Sequence, residues 1–188
     1  MNVSALRIGG GIAQWRELGF EVTQEGVVML GGIRVELTES ADPGSIASWA
    51  LDGPGVPDSI DGLPTEAAER GEAPSAHPNG VTGIDHVVVL TPSLDRTAAA
   101  FGEIGVECRR VREAGGDVRQ GFFILGDLLV EVVDGTGLEA EELARFWGIT
   151  VAAADLDEAA RVMGDRLGEI KDAVQPGRRI ATVRREAT

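Results

Sequence analysis

At 188 residues the chain is long enough for one substantial core or two small ones, which favours one domain built from repeated units. A formal net charge of -14, with no basic stripe to neutralise phosphates, excludes nucleic acid and anionic membrane surfaces as expected partners. The single cysteine, Cys108, excludes a disulfide framework and a cysteine-rich zinc site, and no apolar run approaches the roughly 20 residues of a membrane span.

The first residues carry no secretory pattern, so the cytoplasm is the expected compartment. Val3 to Ile8 reads as a strand that the run Gly9-Gly10-Gly11 ends. Ile12, Trp15 and Gly19 share one face of a helix of about two turns. Phe20 to Thr23 reads as a short strand, and Gly26 to Leu30 with Ile33 to Thr38 as a hairpin about Gly31-Gly32, a strong turn signal. Ile46 to Leu51 is a further candidate strand. The stretch from Asp52 to Gly80, rich in Pro, Gly and acidic residues, reads as a long connection, partly ordered at most.

From Ile84 a run of β-branched residues predicts a strand buried on both faces. Ser93 or Asp95 caps the following helix, whose inward stripe is Leu94, Ala98 and Phe101. Val106 to Val111 reads as a strand, and Gly121 to Leu125 with Leu128 to Val133 as a second hairpin about Gly126-Asp127. The acidic segment Leu138 to Phe146 is expected to be a spacer helix. The order then restarts, with Trp147 to Ala152 as strand, Asp155 or Asp157 as cap, a helix through Met163, and a hairpin about Pro176-Gly177. The implied division is a degenerate N-terminal βαβββ module with an extra strand over 1–52, a linker over 53–82, a central βαβββ module over 83–137 and an incomplete third module over 138–188.

The first and central modules align through their hairpins without a gap. Gly26 falls on Gly121, Leu30 on Leu125, Gly31 on Gly126, Val35 on Val130 and Glu36 on Glu131. The segment SLDRTAAAFGE of the central module matches DLDEAARVMGD of the third. Self-similarity of this kind marks duplicated supersecondary units that bury their faces against one another. The fold class expected is α+β, built from repeated βαβββ modules.

The residues GIDHVVVLTPSLDRTAAAFGEIG and FILGDLLVEVV resemble the vicinal oxygen chelate superfamily, the glyoxalase, bleomycin-resistance and extradiol-dioxygenase fold, and within it the bacterial glyoxalase-like group. The resemblance implies curved mixed sheets forming a cup, and metal ligands on the first and last strands of a module. Carried over position by position, these are His86, Glu131 and Glu36, while the fourth position falls on Ala5 or Gly148. One imidazole and two carboxylates converging in a cup suit a divalent ion such as Zn, Mn, Fe or Ni, which would act as a Lewis acid on an oxygen-chelating substrate. The implied function is a small-molecule site, either of a metal-assisted lyase, isomerase or dioxygenase or of a non-catalytic, resistance-type binding protein. The third reading is a structural or dimerising module. Glu36 and Glu131 sit among apolar strand residues, where an ionised carboxylate is costly unless paired or on metal. His77, in a turn, reads as a loop residue, and Arg109, Arg110 and Arg112 read as a solvated strand edge within reach of an anionic substrate. The incomplete third module leaves a sheet edge that invites pairing, so a compact monomer or a homodimer is expected.

Overall fold

The computed structural model describes residues 1–39, 41–71, 76–135, 137–184 and 187. Its first half contains β1 (Asn2–Gly9), α1 (Ile12–Glu17), β2 (Val27–Leu30), β3 (Ile33–Thr38), β4 (Ile46–Asp52), β5 (Ser59–Ile60) and β6 (Leu63–Ala67). These strands form one sheet in the order β2-β3-β1-β4-β6-β5. β1 and β3 run parallel, with α1 and β2 as the crossover between them. β2 and β3 close on Gly31 and Gly32, both at positive φ (61° and 85°), the conformation that a tight primed turn requires.

The second half contains β7 (Val81–Leu90), α2 (Leu94–Glu103), β8 (Arg110–Glu113), β9 (Arg119–Leu125), β10 (Leu128–Val133), β11 (Arg145–Ala153), α3 (Leu156–Met163), a 3-10 turn (Gly164–Arg166), β12 (Lys171–Asp172) and β13 (Arg179–Ile180). Its main sheet has the order β11-β7-β10-β9-β8, and β12 pairs with β13 apart from it. Ser93 caps α2 by accepting from Arg96 N–H, and Asp155 caps α3 by accepting from two amides, as short polar side chains do at helix starts. The protein is therefore α+β, two curved mixed sheets with few helices. Among the described residues no helix is long and apolar enough to cross a membrane.

Apolar residues from both sheets and from α1, α2 and α3 merge into one buried cluster. Trp49 of β4 lies at its centre, edge-on to Phe101 of α2 and to Phe146 of β11, and Phe101 stacks on Phe123 of β9. The Trp49 indole donates to Thr65 of β6, so a buried polar group is satisfied where the first sheet widens.

The structure departs from the sequence reading at several elements, and the strand expected from Val106 begins only at Arg110. Residues 53–82 are not simply a connection: β5 and β6 lie within them and extend the first sheet. The β5–β6 turn reaches α2, because Asp61, whose side chain is only 4% exposed, accepts from Arg96 and from the Thr97 hydroxyl. Residues 138–144 form turns rather than a helix, and Ala144 N–H is taken by the Asp61 carbonyl. Phe20 to Thr23 is not a strand. The candidate strand at Ile46 does form and pairs with β1 and β6.

The two halves repeat each other down to their irregularities. Glu36 and Glu131 are equivalent by the hairpin alignment, and the parallel registers Ala5↔Arg34 and His86↔Leu129 then make Ala5 the counterpart of His86, and Arg7 that of Val88. β1 carries a bulge at Ser4 against β4, and β7 carries one at Asp85 against β11. A second bulge falls at Ala47 in β4 and at Trp147 in β11. A bulge places one extra residue against its partner strand and re-aims the neighbouring side chains.

Candidate functional site

Each sheet turns one face to the common core and leaves the other open. On the open face of the first sheet, Glu36 of β3 accepts from Arg7 Nε at 3.0 Å and from Arg34 Nε at 2.8 Å. Arg7 also holds Glu66 of β6. Burial pushes the Glu36 carboxyl up, but the hydrogen bonds from Arg7 and Arg34 outweigh it and hold the group below its ordinary range. The same contacts raise Arg7. This face is thus closed by its own ion pairs over the small buried residues Ala5, Ser48 and Ala50.

The open face of the second sheet is different. Antiparallel partners and parallel neighbours share a face, so the registers place Ile124, Leu129, His86 and Thr150 in one row across the strands. The adjacent row is Arg110, Phe122, Glu131, Val88 and Gly148. His86 sits at the centre with its side chain 20% exposed. Its Nδ1 lies 2.8 Å from Asp85 Oδ2, and its Nε2 lies 3.0 Å from Thr150 Oγ1 and 3.8 Å from Glu131 Oε2. A carboxylate can only accept, so Asp85 draws the ring proton to Nδ1. Nε2 is left as an acceptor toward the open face, where the Thr150 hydroxyl donates to it. Arg178, from the turn before β13, donates to the other oxygen of Asp85 at 3.2 Å and holds that carboxylate in place.

Of the three residues expected to hold a divalent ion, the structure brings two together. His86 and Glu131 face each other, whereas Glu36 lies in the other sheet with both oxygens taken by arginines. Among the described residues no group of three or more His, Cys, Asp or Glu side chains is arranged to hold a metal ion. A catalytic zinc site normally takes three protein ligands, and the described residues bring together two of the three expected here. His77 is buried rather than in an open turn. Its Nδ1 accepts from Glu21 N–H at 3.1 Å, its Nε2 donates to the Met29 carbonyl at 2.9 Å, and it packs against Phe20. Both ring nitrogens are occupied by backbone, which is a structural role.

Sequence reasoning missed Asp85, Thr150 and Arg178. Neighbours on a regular strand point to opposite faces, so Asp85 and His86 meet only because of the bulge between Ile84 and His86. Thr150 and Arg178 arrive through contacts 64 and 93 residues apart in sequence, and the one legible signal was the restart of the module order at β11.

No family model matches the chain, and no curated protein matches it. Solved structures do. The chain is similar to a 4-hydroxymandelate synthase variant from Streptomyces coelicolor, at 13% identity and a TM-score of 0.57, covering 87% of this chain and 74% of that one. It is similar to BphC, a halotolerant catechol dioxygenase, at 15% identity and a TM-score of 0.53, covering 86% of this chain and 72% of that one. A catechol 2,3-dioxygenase matches at 14% identity and a TM-score of 0.50, covering 86% of this chain and 75% of that one.

Proposed function

The chain has the vicinal oxygen chelate fold, and from that premise we propose that the open face of its second sheet is a small-molecule site at which His86 moves a proton, in an isomerase- or lyase-type reaction. The observation that carries this reading is the Asp85–His86 hydrogen bond. It fixes one tautomer and turns a basic nitrogen toward the face where a ligand can reach it. In this scheme Nε2 of His86 takes a proton from carbon or oxygen of the bound molecule. Asp85 stabilises the imidazolium that forms, Arg178 keeps Asp85 oriented, and Thr150 gives up its hydrogen bond to Nε2 as the substrate arrives. Glu131, 3.8 Å from Nε2, lies close enough to pair with the charged ring. Phe122, Leu129 and Ile124 supply an apolar floor beside these groups.

The test is incorporation of solvent deuterium into a panel of α-hydroxycarbonyl compounds and 2-oxo acids, followed by proton NMR. The wild-type chain exchanges at least one of them, and His86→Ala loses roughly 10²- to 10⁴-fold of that rate. Asp85→Asn, which keeps the shape but not the charge, is slowed in between. Exchange by His86→Ala at the wild-type rate, or none by either protein across the panel, would overturn the reading.

A further inference from the structure

Three arginines on the second sheet's open face lack carboxylate partners. With a net charge of -14, carboxylates are in excess, and many arginine side chains find them: Arg7 and Arg34 in the first sheet, Arg96 and Arg119 around α2, Arg161 and Arg179 at α3, whereas Arg16 meets only backbone carbonyls. Arg110, Arg112 and Arg145 find neither. Among the described residues their side chains make no hydrogen bond or ion pair, although Glu107 and Glu113 lie a few residues away in the chain. The registers show where they stand. Arg110 opposes Phe122, in the row that holds Glu131. Arg112 opposes Gln120 and Arg145 opposes Leu90, at the two ends of the next row. Two unpaired cations therefore stand at the β8 rim of this face and one at the β11 rim, with Phe122, Val88, Val133 and Leu90 between the rims together with Gln120 and the carboxylate of Glu131.

We infer that this face binds an organic anion: a carboxylate or phosphate ester with an aromatic or branched apolar body, its charge held by Arg110 and Arg112 and its other end presented to His86. The inference deepens the proton-transfer reading and rests on the same face. β8 and β7 are three strand spacings apart, roughly 14 Å, and the reach of the two arginine side chains leaves a gap about the size of an aryl acid. Phe122, Ile124 and Leu129 line that gap, and Ile124 is 42% exposed, a strand side chain with apolar surface still open to cover. Arginine suits the charged end because its planar fork meets carboxylate and phosphate oxygens in pairs. Arg145, on the opposite rim, stands beyond the reacting end, where a second anionic group would meet it.

The experiment is titration calorimetry of the full chain with 1-naphthylacetate and with its uncharged amide, 1-naphthylacetamide, repeated on Arg110→Gln/Arg112→Gln and on His86→Ala. The acid is expected to bind at least tenfold more tightly than the amide, and the arginine variant to lose that preference while keeping the wild-type circular dichroism and melting curve. His86→Ala is expected to keep the preference, because it alters the reacting end. Equal affinity for acid and amide, or a preference that survives the double substitution, would overturn the inference. Binding of neither probe by a protein that light scattering shows to be dimeric would also overturn it, the face then being covered by a second copy. The two readings fail separately. Acid selectivity without His86-dependent deuterium exchange sinks proton transfer alone, and exchange confined to uncharged compounds sinks the anion site alone.

Discussion

Arg7 and Val88 occupy the same place in the two sheets, and the contrast separates a closed face from an open one. Arg7 bridges Glu36 and Glu66, while Val88 leaves Glu131 beside His86. Glu36 has its folded value lowered, so the ion pair contributes stability above the carboxyl's unfolded value and loses it as pH falls through the folded one. Arg7→Gln is therefore expected to melt at a lower temperature than wild type at neutral pH. The gap should narrow on acidification below the ordinary carboxylate range, and a difference in melting temperature that stays constant from neutral to acid pH would show that Glu36 is not its source. Residue by residue, the sequence revealed His86, Glu131 and Glu36 as the acids and base worth following, and it was right that Glu36 needed a partner. It could not show that the partner was Arg7, because that depends on a parallel pairing between residues 29 positions apart.

At the scale of elements, hairpins and capped helices were legible because turn glycines and cap residues act locally, and pairings across the sheet were not. β6 illustrates the limit. Its five residues, LPTEA, carry no strand pattern of their own and are held by Trp49↔Thr65 pairing and the buried indole hydrogen bond. The glycine run after β1 shows the opposite case. Gly9 was legible as the end of a strand, and the structure adds why glycine stands there: a Cβ at this position would lie 2.2 Å from the Asp42 carbonyl oxygen. The loop from β3 to β4 presses on β1 at this point, through Gly9 N–H to the Ser45 carbonyl and Gly44 N–H to the Gly9 carbonyl. Gly9→Ala is expected to displace that loop and cost about 1–3 kcal/mol, read as a lower urea midpoint with an unchanged slope. A midpoint within error of wild type would mean that the loop yields freely.

For the whole molecule, the repeat is complete in outline and unequal at one edge. β4 is covered on its outer side by β6, whereas among the described residues no strand pairs with the outer edge of β11, its counterpart. Backbone amides on that edge lack the ladder that protects those of β4. Hydrogen exchange followed by mass spectrometry should therefore label peptides spanning Ile149 to Ala153 well before those spanning Trp49 to Leu51, and equal protection would indicate that the edge is paired in solution. Trp147, 67% exposed on the same strand, makes that edge visible to fluorescence as well. The paired bulges bear on more than geometry. Because Ser4 and Asp85 sit at the same kink in two copies of one backbone, the molecule carries its own blank: a sheet with the same bends and the same glutamate, in which alanine stands for histidine and a salt bridge fills the space. Chemistry transplanted into the first sheet by Ser4→Asp, Ala5→His and Arg7→Val would ask whether the backbone alone, without the particular history of the second copy, is enough to make a base.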